Sequence, residues 1–376
     1  MIPYGRQSIS QADIDAVVEV LKSDFLTQGP VVPSFEQAVA DYCGAKFGVA
    51  VNSGTAALHI ACMALGVGHG DWVWTSPISF VASANCALYC GAQVDFVDIE
   101  PDTGNMCAVE LERKLIAAKA EGKRPKVVIP VHFAGLPCDM KEIHRLGQEY
   151  GFRIIEDACH ALGARYHDEP TGNGRYSDIT VFSFHPVKII TTGEGGMAMT
   201  NDPALAKTMR MLRSHGITRE PEDFINEPDG PWYYEQQMLG FNYRMTDIQA
   251  ALGLSQMANL ETWILKRGEL ARHYFEELAP EQLPRYFSPK RRSAFHLYVH
   301  HVATEQRKAR FQQLREQGIG ANVHYMPIYK QPWHQCGAHL AKAEKFYASA
   351  ITLPLFPKLP VERQEEICRL LSGTVV

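Results

Sequence analysis

Excess positive charge is missing from this 376-residue sequence: 37 Lys and Arg stand against 42 Asp and Glu, a formal charge of −5. That removes the general electrostatic case for nucleic-acid binding. No apolar run approaches the roughly 20 residues of a membrane-spanning helix, and the opening MIPYGRQSIS lacks the basic-then-apolar pattern of a secretory signal. Neither a membrane nor a nucleic acid is therefore an expected partner, and a cytoplasmic protein is the expectation. The nine cysteines (Cys43, Cys62, Cys86, Cys90, Cys107, Cys138, Cys159, Cys336 and Cys368) are odd in number and form no C-x-x-C pair. Reduced core thiols are expected, not a disulfide framework. A metal would need converging ligands, and the two nearest local groupings, His296 with His300 and His301 and His132 with Cys138 and His144, do not predict one. Internal repeats and long low-complexity tracts are also absent.

What is present is a hydrophobic content of 46% spread over a chain long enough for two packed units. The first two-thirds alternates helical patterns with short β-branched runs, which predicts an α/β fold with helices on both faces of a sheet. The runs Phe47–Val51, Trp72–Thr75, Gln93–Val97, Lys126–Val131, Arg153–Glu156, Ile179–Phe184 and Gly196–Thr200 predict seven strands of a mostly parallel sheet. Between them lie segments such as Ala56–Leu65, where Leu58, Ala61, Cys62 and Leu65 share one helical face. After about Gln249 the pattern changes to long charged helices, a strand-like Phe295–Val302 and a terminal helix near Glu362–Leu371. A large domain over residues 1–249 and a smaller α/β domain over 250–376 are expected. The polar, acidic Arg219–Gly230 reads as a mobile surface loop.

Chemistry concentrates in a few places. In SFHPVKIITTGEGG (Ser183–Gly196), Lys188 stands just past an apolar strand and ahead of a glycine-rich turn. In IIEDACHALG (Ile154–Gly163), Asp157 ends another apolar strand, where open α/β sheets build their ligand crevice. A lysine able to form a Schiff base and an aspartate able to hold a protonated ring nitrogen are the two groups pyridoxal phosphate most requires of a protein. Asn52–Ala56 (NSGTA) lies between a strand and a helix and offers hydroxyls and free N–H groups to a phosphate, with Gly54 permitting close approach. Ser183 could add a hydroxyl to the same phosphate, and Phe80, in PISFVASAN, could cover one face of the ring. Each residue also has a bland reading: Asp157 or Asn52–Ala56 as helix caps, Phe80 as core, Lys188 as surface. The glycine-rich Gly66–Gly70 follows a helix, not a strand, and does not predict a dinucleotide loop.

Taken jointly, NSGTAAL, EDACHALG, SFHPVKIITTGEGG and NYRMTDIQAALGL resemble the DegT/StrS-type sugar-nucleotide aminotransferases, in that family's order and over nearly the whole chain. FLTQGPVVPSFE, PISFVASAN, His160, LRSHG and ANVHYMPIY further resemble its pseudaminic-acid branch, although many relatives carry glutamine where His160 stands. The resemblance implies a fold-type-I pyridoxal-phosphate enzyme that moves an amino group from L-glutamate to C4 of a UDP-linked 4-keto-6-deoxy-N-acetylhexosamine. It implies that Lys188 forms the Schiff base, that Asp157 holds the pyridine nitrogen and that His160 lies near the phenolic oxygen. Gly54, Thr55 and Ser183 would hold the phosphate, and Asn242 would reach the phosphate of a partner subunit's site in a homodimer. Tyr4, Leu26, Thr27, Gln28, Gly29, Val323, His324, Tyr325 and Met326 match positions that line the sugar-nucleotide site in relatives. Lys188 is retained where a dehydratase variant of the family has histidine, which favours transamination. Amination of another keto-sugar nucleotide, dehydration and cofactor-dependent sensing without turnover remain open at this point.

Overall fold

The computed structural model describes residues 1–334 and 337–373, so Cys336 lies outside the described residues. Seven strands form one sheet: β1 (Phe47–Val51), β2 (Trp72–Thr75), β3 (Gln93–Phe96), β4 (Val127–Ile129), β5 (Arg153–Asp157), β6 (Ile179–Ser183) and β7 (Gly196–Thr200). Their spatial order is β1-β7-β6-β5-β4-β2-β3, and every pairing is parallel except those of β7 with β1 and β6. All seven expected strands are present and the sheet is mostly parallel. Lys126–Val131 is shorter than expected because Pro130 has no N–H to give the ladder, leaving Val131 a lone bridge to Asp157.

The central strands are largely apolar because side chains alternate between two covered faces. Val49 and Val51 enter one core cluster with helices α3 (Gly54–Ala64), α4 (Ala82–Tyr89) and α7 (Pro203–Leu212). Ala50, Phe182, Met197 and Met199 enter the opposite cluster, with α2 (Val31–Cys43), Ala250 of α8 (Asp247–Met257) and α9 (Leu260–Leu278). Toward the other edge, Trp74, Val128 and Ile154 pack against α5 (Ala108–Glu121) and α6 (Met140–Tyr150).

A separate apolar cluster gathers the end of α9, the antiparallel ladder Tyr298–His301 with Ala350–Leu353, and the helices Arg307–Glu316 and Val361–Ser372. The ladder is shorter than the expected Phe295–Val302 because Phe295 sits at φ +47°, which interrupts an extended run. The first residues of the chain cross onto this unit: Ile2 N–H donates to the Gly318 carbonyl at 2.8 Å, and the Tyr4 carbonyl accepts from Leu355 at 2.9 Å. That crossing carries Tyr4 to the sheet's carboxyl edge. The acidic loop 219–230 is exposed over most of its length, and Glu235 ties it down by accepting from Ile225 N–H at 2.8 Å and Asn226 N–H at 2.7 Å. These donors, the Ile225 N–H foremost, hold the Glu235 carboxyl down to about 2.

The eight described cysteines are free thiols, five of them buried. The His132, Cys138 and His144 side chains do not converge: His132 Nε2 lies 2.7 Å from Glu156 while its Nδ1 accepts from the Cys138 N–H at 3.2 Å, Cys138 Sγ donates to the Val131 carbonyl, and His144 bonds the Tyr176 carbonyl. Among the described residues no three His, Cys, Asp or Glu side chains converge as metal ligands, and no helix is long and apolar enough to cross a membrane.

One buried carboxylate joins distant parts of the chain. Asp247, at 0% exposure in the first turn of α8, accepts from Gly29 N–H at 2.6 Å and from Val31 and Val32 N–H at 2.9 Å, serving the otherwise unpaired N–H groups at the start of α2. Asp247→Ala should cost about 3 kcal/mol by leaving these donors without an acceptor, read from urea unfolding, whereas Asp247→Asn should cost less. Equal stability of Asp247→Ala and the native chain would show that the contacts contribute nothing.

Candidate active site

The carboxyl ends of β1, β5 and β6 open onto a cavity of about 900 Å³, closed on the other side by Tyr4 and by Asn322, His324 and Tyr325. This is where ligands collect in an open α/β sheet. Asp157 ends β5 and is held by its backbone on both sides: its N–H donates to the Pro130 carbonyl at 2.9 Å, and its carbonyl accepts from His132 at 3.0 Å. Its side chain is held as firmly, with Ser83 Oγ at 2.6 Å from Oδ2 and Cys159 N–H at 3.2 Å from Oδ1.

Lys188 lines the same cavity. Enclosure by protein holds its ammonium below the usual lysine value, an effect that neighbouring Cys159 and Asp157 oppose. The Cys159 thiol is itself pushed well above its ordinary range by burial and by Asp157, so at neutral pH it is uncharged. An amine displaced toward its neutral form beside a fixed carboxylate is a nucleophile with an acid-base partner.

On the β1 side, Ser53 caps α3 by accepting from Ala56 N–H at 3.1 Å, which leaves the N–H groups of Gly54 and Thr55 at the helix's positive end. A side chain at position 54 would meet Ser183 Cβ at 2.9 Å, so only glycine lets β6 and the Ser183 hydroxyl come this close. Two free N–H groups, the hydroxyls of Thr55 and Ser183 and the helix dipole make a cradle suited to a phosphate. Phe80, 60% exposed, lines the cavity without blocking it.

Four histidines line this cavity, and three of them, His160, His296 and His324, are held toward the neutral form by burial. His160 Nδ1 accepts from Ala134 N–H at 3.3 Å, which puts the ring proton on Nε2, 3.4 Å from the Tyr325 hydroxyl. Burial first, then Lys188 and His324, holds its pKa well below 6.5. His296 lies against it with ring centres 4.4 Å apart and planes tilted by 46°, and is depressed in the same way, with burial the leading cause; its Nδ1 is buried without a partner among the described residues. His324, bonded through Nδ1 to Thr352 Oγ1 at 2.8 Å, is lowered to about 3 by burial and Lys188.

The structure brings Gly54, Thr55, Asp157, His160, Ser183, Lys188, Phe80, Tyr4, His324 and Tyr325 into this one cavity. Val323 and Met326 flank its wall without lining it. Leu26, Thr27, Gln28 and Gly29 also lie outside it, on an exposed segment bridged at Thr27 to Thr246. Asn242 is exposed as well, its carbonyl 3.5 Å from Asn52 Nδ2. Sequence reasoning passed over Ser79, Ser83, Cys159, Gln249, His296 and Asn322, all cavity-lining. The i, i+4 serines in PISFVASAN are a usable signal; His296, close in sequence to His300 and His301, carries no local signal for this site.

The DegT/DnrJ/EryC1/StrS aminotransferase family model matches residues 7–372. A Campylobacter jejuni protein named UDP-4-amino-4,6-dideoxy-N-acetyl-beta-L-altrosamine transaminase is 37% identical over 364 residues, 94% of this chain and 92% of that one. Bacillus subtilis spore coat polysaccharide biosynthesis protein SpsC is 37% identical over 390 residues, covering 100% of this chain and 97% of its own. Among solved structures, Helicobacter pylori PseC, an aminotransferase involved in pseudaminic acid biosynthesis, superposes with a TM-score of 0.89 at 32% identity over 99% of this chain and 98% of its own. The PLP form of a Streptococcus pneumoniae sugar aminotransferase gives 0.87 at 30% identity, over 98% and 97%. Fold and relatives together define a fold-type-I, pyridoxal-phosphate-dependent sugar aminotransferase. The chain belongs to the DegT/DnrJ/EryC1/StrS aminotransferase family.

The three neutral histidines set a pH dependence. Each binds its proton more weakly folded than unfolded, where the ordinary value is 6.5, so the unfolded chain takes up more protons and stability falls as pH drops from 6.5 toward the folded values, about 3 for His324. In the cofactor-free protein, His296→Asn should lose less stability on acidification than the native chain, the difference approaching about 1.4 kcal/mol per pH unit below pH 6 in urea unfolding. Identical slopes would contradict the assignment of His296 as a buried neutral imidazole.

Proposed function

We propose that this chain transfers the amino group of L-glutamate to C4 of a UDP-linked 4-keto-6-deoxy-N-acetylhexosamine, the amination step toward pseudaminic acid. The observation that carries the chemistry is the convergence of Lys188, Asp157 and the α3 N-terminus on one cavity. The altrosamine transaminase relative and PseC support the substrate class. Amino transfer balances without an added oxidant: glutamate leaves as a 2-oxo acid, and the keto sugar leaves as an amine.

The bound cofactor supplies an aldehyde that takes up nitrogen and a cationic ring that accepts the electrons left when a C–H proton departs. Every other task falls to the chain. Lys188 Nζ would hold the aldehyde carbon and, once released from it, carry the proton between the carbon that loses nitrogen and the carbon that gains it. Burial lowers its proton affinity from the usual lysine value, the direction a proton carrier needs. Asp157 would hold the ring nitrogen's proton, and His160, with its proton on Nε2, would donate to the phenolic oxygen. Gly54, Thr55 and Ser183 would hold the phosphate, and Phe80 would cover the ring face. Tyr4, His324 and Tyr325 would bound the sugar side.

The exposed Asn242 and the exposed Leu26–Gly29 segment support the rest of the reading: in a cytoplasmic homodimer, Asn242 would complete the partner's phosphate site, and Leu26–Gly29, Val323 and Met326 would meet the nucleotide sugar.

With glutamate and a panel of keto-sugar nucleotides, NMR should identify a 4-amino sugar from the UDP-4-keto substrate; a deoxygenated product or no product overturns the proposal. Lys188→Ala should lower turnover at least about a hundredfold, and near-native turnover would contradict its role. Mixing Lys188→Ala with Asn242→Ala subunits should restore about one quarter of native activity, since half the dimers are mixed and each holds one intact site. Failure to restore any activity would remove the shared-site claim.

A further inference from the structure

Ser79 and Ser83 stand four residues apart, in the loop after β2 and in the first turn of α4, and both side chains are nearly inaccessible, at 5% and 1% exposure. Ser83 Oγ lies 2.6 Å from Asp157 Oδ2 and 2.6 Å from Ser79 Oγ. A carboxylate offers only lone pairs, so Ser83 donates to Asp157 and its own oxygen accepts from Ser79. The relay therefore has one direction, Ser79 to Ser83 to Asp157. Ser83 is itself fixed: its N–H donates to the Phe80 carbonyl at 3.2 Å, and its carbonyl accepts from Cys86 Sγ at 3.4 Å.

The consequence falls on Asp157. Its backbone is locked between Pro130 and His132, and Cys159 N–H holds Oδ1 at 3.2 Å. That single N–H is the longer of the two side-chain contacts and leaves the carboxylate free to rotate about it. A second donor on Oδ2, short and charge-assisted, fixes the plane. The geometry points to Ser83, backed by Ser79, as a positioning residue that aims the Asp157 carboxylate at the cofactor's ring nitrogen. The inference rests on the proposed role of Asp157 and adds what orients it. A carboxylate aimed at one atom keeps a proton there; a swinging one shares its lone pairs with water and other donors.

The test uses the cofactor-loaded enzyme with the ring nitrogen labelled with nitrogen-15, whose chemical shift reads protonation directly, together with titration of cofactor into the cofactor-free protein. Ser83→Ala should move the shift toward the unprotonated position and weaken cofactor binding about tenfold, the loss of one charge-assisted hydrogen bond. Ser83→Thr, which keeps the hydroxyl, should restore the native signal, and Ser79→Ala should move it the same way by less. A native shift and native affinity in Ser83→Ala overturn the inference, as does a loss of thermal stability with the shift unmoved, which is what a merely structural hydroxyl would give. Asp157→Asn separates the two claims. If it moves the shift and Ser83→Ala does not, only the role of Ser83 falls; if neither moves it, the role of Asp157 falls as well.

Discussion

A carboxylate and an amine share one enclosed space at the end of a sheet, and most of the surrounding architecture follows from the cost of keeping them there. Removing a charge from water is expensive unless hydrogen bonds replace the lost hydration. Asp157 recovers that hydration from Ser83 and from the Cys159 N–H. Lys188 is compensated less fully, and its ammonium form is weakened. That imbalance makes the site chemical as well as structural, because an amine that gives up its proton readily can bond to carbon.

The fold delivers these groups through strand ends. β5 brings Asp157, β6 brings Ser183 and leads on to Lys188, and β1 leads into the α3 N-terminus. Because β7 runs antiparallel between β1 and β6, the two parallel runs stand one strand apart, with their carboxyl ends on the same edge. Gly54 closes the remaining gap by letting α3 and β6 meet without a side chain between them. The opposite wall comes from far along the sequence: Tyr4 rides on the C-terminal unit, and Asn322, His324 and Tyr325 belong to it. A nucleotide sugar entering this cavity would therefore be gripped between the cofactor-binding sheet and a separately packed unit.

Much of this was legible in the sequence. The seven strands could be read because burial on both faces leaves apolar runs; the run to Val131 falls short where Pro130 breaks extension, and the separate C-terminal run falls short at the left-handed Phe295. Lys188, Asp157 and Gly54 could be read because each falls at a strand-to-loop junction where that chemistry has a purpose. Ser79 and Ser83 offered only their i, i+4 spacing as a signal, since a hydroxyl takes its meaning from its partner, and Asp157 lies 74 residues from Ser83. His296 could not be placed at the site for the same reason, its nearness to His160 being a product of tertiary packing that places positions 160 and 296 in ring contact. Local spacing suggested neighbours at His300 and His301; His301 instead bonds Ser349 at 2.8 Å.

Covalent capture of the cofactor by one amine is the claim on which the account stands. Borohydride reduction of the cofactor-loaded enzyme, followed by peptide mapping, should place a single pyridoxyl group on Lys188. A label on any other lysine, or none, would contradict it.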